Sequence, residues 1–308
     1  MGFAALFPGQ GSQSQGMGRS FCDDFAVGRN LFELASDTLK LDFRKICFEA
    51  SEEELAKTEN TQPCLLLCCH AGFKILEAEL GFTPMAAAGH SLGEYTALTA
   101  AGAVSFPDAL KLVRRRGELM AQAASTQTGM MAVLGASKEQ VEQLCQEAVK
   151  DQEVLVPANF NAPGQIVISG NVSALDRAQE LLKSKRMRCI RLKVSGAFHS
   201  PLMENAAKGL GEFLSGVSFS PLKFPVVSNL EAKPYPENPL EILVRQMTSP
   251  VRWEDSVQHL NQISLGGFIE IGPGKVLTGL VQRIVPQAKV LNFSESEDLA
   301  EIRTALKS

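Results

Sequence analysis

Ser91 stands in Gly89-His90-Ser91-Leu92-Gly93, a G-x-S-x-G pattern. Such a pattern sets a serine on a tight strand-to-helix turn, with its hydroxyl exposed for attack on an acyl group. Met85-Ala86-Ala87-Ala88 before it reads as a short buried strand. Leu92 to Ala101 after it reads as a helix start, with Glu94 in the first turn. Gly89 and Gly93 remove side chains where strand and helix crowd the serine. The same residues also fit a helix N-terminus capped by the Ser91 hydroxyl. The pentapeptide alone leaves both readings open.

A serine hydroxyl becomes a nucleophile at neutral pH only beside a base. The chain has four histidines, His70, His90, His199 and His259. His70 and His259 sit in helical patterns and read as structural. His90 precedes the serine, so its side chain is expected to point away and pack the turn. His199 lies in Ser195-Gly196-Ala197-Phe198-His199-Ser200-Pro201, a small-residue loop between a strand and a helix, where functional residues concentrate. It is the candidate base. No aspartate stands out to orient the imidazole, so a backbone carbonyl or a side-chain amide is the expected third group.

Two further segments carry possible chemistry. Pro8-Gly9-Gln10-Gly11-Ser12-Gln13 follows the first strand and lacks the G-K-[ST] of a nucleotide loop. The amides of Gln10 and Leu92 could form an oxyanion hole there, or the segment is a plain tight turn. Arg114-Arg115-Arg116 sits in a helix and cannot turn all its members to one side. Arg116 aligns with Leu112, Leu119 and Ala123. Facing inward, it needs a salt-bridge partner or an acidic substrate held by its fork.

These residues must be held by a scaffold, and composition bounds what it is. The chain has 308 residues, 45% hydrophobic and 21% charged, as in ordinary globular domains. A net charge of -4 gives no electrostatic case for nucleic acid or an anionic membrane. No apolar run approaches the ~18 residues that span a bilayer. No basic segment followed by an apolar one opens the chain, so a cytoplasmic location is the default. Seven cysteines without C-x-x-C pairs suit reduced thiols, and Cys64, Cys68 and Cys69 read as filler on a buried helix. No metal site is expected.

Strand-like and helix-like stretches alternate throughout, which argues for α/β. Expected body strands include Phe3–Phe7, Met85–Ala88, Pro225–Ser228, Gly267–Ile271 and Lys289–Leu291, with a helix over Asp108–Ala124 and another after Gly272-Pro273-Gly274. One stretch has its own rhythm. Met130 to Leu134, Val154 to Phe160, Gln165 to Ser169 and Arg188 to Val194 read as strands, with helices over Lys138–Val149 and Ala174–Lys183 and a turn at Asn161–Gly164. The order β-α-β-β-α-β is the ferredoxin-like plan. Residues 126–196 are thus expected as a small ferredoxin-like subdomain, inserted in a large mainly parallel α/β body of 1–125 and 197–308. A cleft between them is the default ligand site.

Taken in order, the motifs resemble the malonyl-CoA:acyl-carrier-protein transacylase family over essentially the whole chain. They are Phe7-Pro8-Gly9-Gln10-Gly11-Ser12-Gln13, Gly89-His90-Ser91-Leu92-Gly93-Glu94-Tyr95, Arg116-Gly117-Glu118-Leu119-Met120, Asn159-Phe160-Asn161-Ala162-Pro163-Gly164-Gln165, Gly196-Ala197-Phe198-His199-Ser200, Val244-Arg245-Gln246 and Glu270-Ile271-Gly272-Pro273-Gly274-Lys275. The resemblance implies a hydrolase-like α/β body with a ferredoxin-like insert. It implies Ser91 as the acylated nucleophile, His199 as base, and Gln246 as the residue whose main-chain carbonyl orients the histidine. Gln10 and Leu92 would give the oxyanion amides, and Arg116 would hold the malonyl carboxylate. Ala197-Phe198-His199 resembles the loop of malonyl-selective polyketide acyltransferases, in which Phe198 would exclude a branch at the α-carbon.

The implied reaction is ping-pong transfer from malonyl-CoA, through a malonyl-serine ester, to the phosphopantetheine thiol of an acyl carrier protein, in fatty-acid or polyketide synthesis. No cofactor is bound, and a monomer is the default. The nearest rival is a hydrolase that clears acyl groups with the same Ser91 and His199, and a non-catalytic scaffold is the third reading. Lys183, Lys185, Arg186, Arg188, Arg191 and Lys193 form a basic stretch without an acid. Carrier proteins are typically acidic, so it reads either as part of their docking surface or as a solvated edge.

Overall fold

The computed structural model describes residues 2–236, 238–263 and 266–307. Among them, five strands form a wholly parallel sheet in the order β7-β2-β1-β8-β9: β1 Phe3–Phe7, β2 Ala87–Gly89, β7 Val226–Val227, β8 Gly267–Ile271 and β9 Val290–Phe293. Every residue of β1 and β8 is buried. That is why these segments read as continuous apolar runs, since helices cover both faces of a parallel sheet. Alternate residues feed opposite cores. Phe3, Ala5 and Phe7 join the larger core with the helix Thr58–Leu80, and Ala4 and Leu6 join Trp253, Val257 and Leu277 on the other face.

A second, antiparallel sheet runs in the order β4-β5-β3-β6, from β3 Thr128–Leu134, β4 Leu155–Ala162, β5 Gln165–Asn171 and β6 Arg188–Arg191. The helices Lys138–Ala148 and Val172–Ser184 cover one face. There Met131, Val133, Ile166 and Ile168 pack on Val141, Leu144, Leu175 and Leu182. The alternate residues Met130, Ala132 and Val167 join the body's core. One pleated strand thus serves an internal core and the contact with the body. The fold is α/β, a parallel sheet with a separate antiparallel one.

Some element ends differ from the sequence reading. β2 begins at Ala87 rather than Met85, and Met85 is half exposed although its N–H still reaches the Phe3 carbonyl at 2.9 Å. β4 continues through Asn161 and Ala162, which leaves Pro163-Gly164 as the turn, with Gly164 at φ 69°. β6 stops at Arg191, and the chain leaves the sheet there to build the segment that carries His199. The helix Phe106–Ala123 starts two residues earlier than expected, because the Ser105 hydroxyl caps it by accepting from the Asp108 N–H. Among the described residues, no helix is long and apolar enough to cross a membrane.

Candidate active site

Ser91 closes β2 at φ 50°, ψ -102°, a strained conformation for a residue with a side chain. Its surroundings hold it there. The Ser91 N–H donates to Asn229 Oδ1 at 2.7 Å, and the Gly93 N–H donates to the His90 carbonyl at 2.9 Å. A Cβ on Gly89 would lie 1.8 Å from the Gly93 carbonyl carbon, and one on Gly93 would lie 2.0 Å from the Phe7 oxygen. The glycines are therefore steric requirements of the elbow. The Ser91 side chain makes no capping bond to the helix Leu92–Ala100. The capping alternative falls away, and the hydroxyl is free for other partners.

The first of those is His199, whose Nε2 lies 2.7 Å from Ser91 Oγ. On its far side Nδ1 lies 2.9 Å from the Gln246 carbonyl oxygen. A carbonyl only accepts, so Nδ1 carries the proton and the Nε2 lone pair faces the serine. His199 too has a positive φ, 55°. Its loop is fixed by Ser200, whose hydroxyl donates to the Ala197 carbonyl at 2.6 Å. Burial, with the Arg116 charge beside it, pushes the imidazole down to about 3. The ring is thus neutral throughout the neutral range, with its Nε2 lone pair unprotonated.

Arg116 approaches the same hydroxyl from the helix Phe106–Ala123, with Nη2 at 3.2 Å from Ser91 Oγ. Nη2 also donates to Gln246 Oε1 at 3.0 Å, and Nη1 to Gln62 Oε1 at 2.8 Å. The guanidinium lies 5.1 Å from the Tyr95 ring centroid. It is 1% exposed, and its Nε has no partner. Arg114 and Arg115 pair with Glu118, whereas Arg116 forms no ion pair among the described residues. The salt-bridge alternative is thereby removed. A buried cation held only by neutral groups can serve as a receptor for an anion.

These groups open on one cavity of about 110 Å³ between the parallel sheet and the antiparallel one. Ser91, His199, Arg116, Gln10 and Leu92 make its reactive side, and Phe198, Met120, Met130, Leu192 and Val194 its apolar wall. Gln10 is steadied by the Thr58 hydroxyl, which donates to its Oε1 at 3.0 Å. Leu92 is the first residue of its helix, where the N–H has no acceptor within the helix. Gln246 stands behind the wall, 1% exposed.

His90 lines the cavity as well, rather than turning wholly away, and its Nε2 lies 2.8 Å from Asn161 Oδ1 on β4. That bond ties the elbow to the second sheet. His70 is buried and stacked on Phe106 at 4.9 Å. The cysteines are all free.

Sequence reasoning missed Gln62, Asn161, Asn229 and Glu94 as neighbours of the reactive groups. Glu94 carried a signal, being the one charge in the apolar run Leu92–Ala100. Asn229, Gln62 and Asn161 are uncharged residues brought in from afar, and nothing local marks them. The basic stretch also differs from its sequence appearance. Acids just outside the stretch supply what it lacks: Lys183 pairs with Glu180 one turn back on the same helix, Lys185 with Glu147 on the helix Lys138–Ala148, and Arg191 with Asp176 on the helix Val172–Ser184. Arg186, Arg188 and Lys193 are exposed, and Lys193 flanks a groove that shares Gln10, Leu192 and Val194 with the reactive cavity.

Comparison with known proteins adds an independent line. The family described as acyl transferase domain matches residues 5–301. A malonyl CoA-acyl carrier protein transacylase of Bacillus subtilis (strain 168) is 43% identical over 300 residues, 96% of this chain and 94% of the relative. The solved malonyl CoA-acyl carrier protein transacylase of Clostridium perfringens superposes with a TM-score of 0.95 at 37% identity, covering 100% of this chain and 98% of that one. A malonyl-transacylase solved in complex with its type II PKS acyl-carrier protein superposes with a TM-score of 0.94 at 39% identity, covering 100% of this chain and 99% of that one.

Proposed function

The chain belongs to the acyl transferase family, and we propose that it moves a malonyl group from malonyl-CoA to the phosphopantetheine thiol of an acyl carrier protein. The observation that carries this reading is the double approach to Ser91 Oγ, by His199 Nε2 at 2.7 Å and by Arg116 Nη2 at 3.2 Å. Nucleophile, base and anion receptor face one small cavity. In our reading residues 126–196 form the small subdomain and 1–125 with 197–308 the large one, with the cavity between them.

Ser91 Oγ gives its proton to His199 Nε2 and attacks the thioester carbonyl. The amides of Gln10 and Leu92 hold the resulting oxyanion. The Gln246 carbonyl, facing Nδ1–H, steadies the imidazolium where a carboxylate would in a triad. Collapse breaks the C–S bond, and His199 returns its proton to the departing CoA thiolate. A malonyl-Ser91 ester remains, its free carboxylate on the Arg116 fork. The carrier-protein thiol then loses its proton to His199, attacks the ester and regenerates Ser91. Phe198 narrows the space beside the α-carbon. No step calls on a bound cofactor, and we place the enzyme in the cytoplasm as a monomer, in fatty-acid or polyketide synthesis.

Mass spectrometry after mixing with malonyl-CoA tests the reading. A persistent malonyl adduct on Ser91, absent from Ser91→Ala and discharged by carrier protein, is the expected result. Rapid release of free malonate would instead make the protein a hydrolase. Neither adduct nor turnover would leave only a scaffold.

A further inference from the structure

Glu94 is fully buried in the first turn of the helix Leu92–Ala100, and the steps above give it no task. Its Oε1 accepts from the Asn229 N–H at 3.1 Å and from the Tyr235 hydroxyl, and its Oε2 accepts from Gln246 Nε2. Two of these partners hold the reacting groups. Asn229 accepts from the Ser91 N–H at 2.7 Å and donates from Nδ2 to the Gly89 carbonyl at 2.7 Å, so it grips the elbow on both sides of His90. Gln246 donates from Nε2 to the Ser91 carbonyl at 3.0 Å, and its own carbonyl accepts from His199 Nδ1. Its Oε1 accepts from Arg116.

A glutamine amide has nearly the same shape when turned end for end, so shape alone does not orient it. An ionised carboxylate only accepts. Against Glu94 the Gln246 amide has one satisfactory orientation, with NH2 on Glu94 and the Ser91 carbonyl and oxygen on Arg116. Turned over, it would set acceptor against acceptor and point donors at a guanidinium. Each buried group left unmatched in that way bears its desolvation cost with no hydrogen bond in return. The same amide links the buried Arg116 cation to a buried counter-charge.

We propose that Glu94 is a positioning residue of acyl transfer, whose carboxylate orients Gln246 and Asn229 and through them the Ser91 backbone, the His199 ring and the Arg116 fork. The selectivity part of this inference rests on malonyl transfer as the reaction, and the part concerning Ser91 and His199 does not.

The groups that face the carboxylate are Tyr235, Gln246 and the Asn229 N–H, with the Arg116 charge beyond them and Tyr95 next on the same helix. Burial pushes the Glu94 carboxyl up to about 7, against the hydrogen bonds of Tyr235 and Gln246. Protonation there destroys the acceptor-only character while His199 is still neutral. Activity therefore falls as pH drops through about 7, without any change on the base itself.

Glu94→Gln keeps the size and removes the charge. Two readouts are taken per folded molecule: labelling of Ser91 by a fluorophosphonate, and kcat/KM for malonyl-CoA and acetyl-CoA across neutral pH. Labelling and malonyl kcat/KM are expected to drop roughly 10²-fold, the scale of a misplaced reacting group. The malonyl-to-acetyl ratio shrinks, and the fall below neutral pH disappears. Tyr235→Phe keeps the carboxylate but removes one donor, which moves that fall to higher pH. Wild-type labelling, ratio and pH profile in Glu94→Gln would overturn the proposal, as would an unmoved profile in Tyr235→Phe should Glu94→Gln not fold. If labelling slows while the native enzyme transfers no malonyl group, the reaction is misassigned and the positioning of Ser91 and His199 stands.

Discussion

The Arg116 guanidinium meets three neutral oxygens, from Gln62, Gln246 and Ser91. A substrate with a free carboxylate completes its charge balance, and an acetyl group leaves it as it was. On the proposed reaction, selectivity would follow from an electrostatic difference rather than from size. Leaving a buried charge without its partner costs ~3–5 kcal/mol, which is roughly 10² to nearly 10⁴ in a rate ratio. Arg116→Ala is expected to reduce the malonyl-to-acetyl ratio of kcat/KM on that scale. An unchanged ratio would remove Arg116 from substrate choice. Phe198 lines the same cavity, and if it narrows the space beside the α-carbon, Phe198→Ala should admit methylmalonyl-CoA with a gain of ~1–3 kcal/mol, the worth of one methyl. If methylmalonyl transfer stays at its original level, Phe198 is packing only.

At the scale of elements, the elbow depends on two backbones passing almost in contact. Gly93→Ala would drive its Cβ into the Phe7 oxygen, 2.0 Å away on β1. Overpacking of that kind costs ~1–3 kcal/mol. The displaced turn also carries Ser91 away from His199, so the adduct yield with malonyl-CoA should collapse while the variant still folds. Full adduct formation in Gly93→Ala would contradict the steric account. The exposed charges on β6 and just past it are a separate element-scale feature. If Arg188 and Lys193 steer an acidic carrier protein, reversing both to Glu raises its KM at low salt and flattens the salt dependence. A KM unmoved at every salt concentration places docking elsewhere.

Much of this arrangement was legible in the sequence because it is local. β1 and β8 were plain from apolar runs, and the elbow from Gly89 and Gly93. The antiparallel sheet showed in its alternation and its turn. Arg116 was marked by its alignment with Leu112, Leu119 and Ala123, but its tie to Ser91, and Gln246 altogether, needed family resemblance, since no spacing joins residues so far apart in the chain. Glu94 and Asn229 escaped because their meaning lies in hydrogen bonds across the chain, formed only after β7 is laid beside β2.

For the whole molecule, the buried site sets how stability responds to acid. Burial pushes His70 and His199 down from 6.5 to about 3. Between those values the unfolded chain binds two protons that the folded one refuses, so stability is lost as pH falls from 6.5. His90, lowered by its burial, acts in the same direction. Glu94 opposes them. Its carboxyl is raised from 4.5 to about 7, so in that window the folded chain holds the extra proton, and stability falls as pH rises through it. Glu270, raised by burial, joins Glu94 in direction. The two strongly shifted histidines outnumber the one strongly shifted carboxyl, so the denaturant midpoint should decline from pH 6.5 toward 4.5. His70 lies outside the site, stacked on Phe106 with an unpartnered Nδ1, and His70→Phe keeps that stacking without the proton. That variant should show a shallower decline with acyl transfer intact, and Glu94→Gln a steeper one. A His70→Phe profile that parallels the parent would mean that the acid sensitivity arises from other groups.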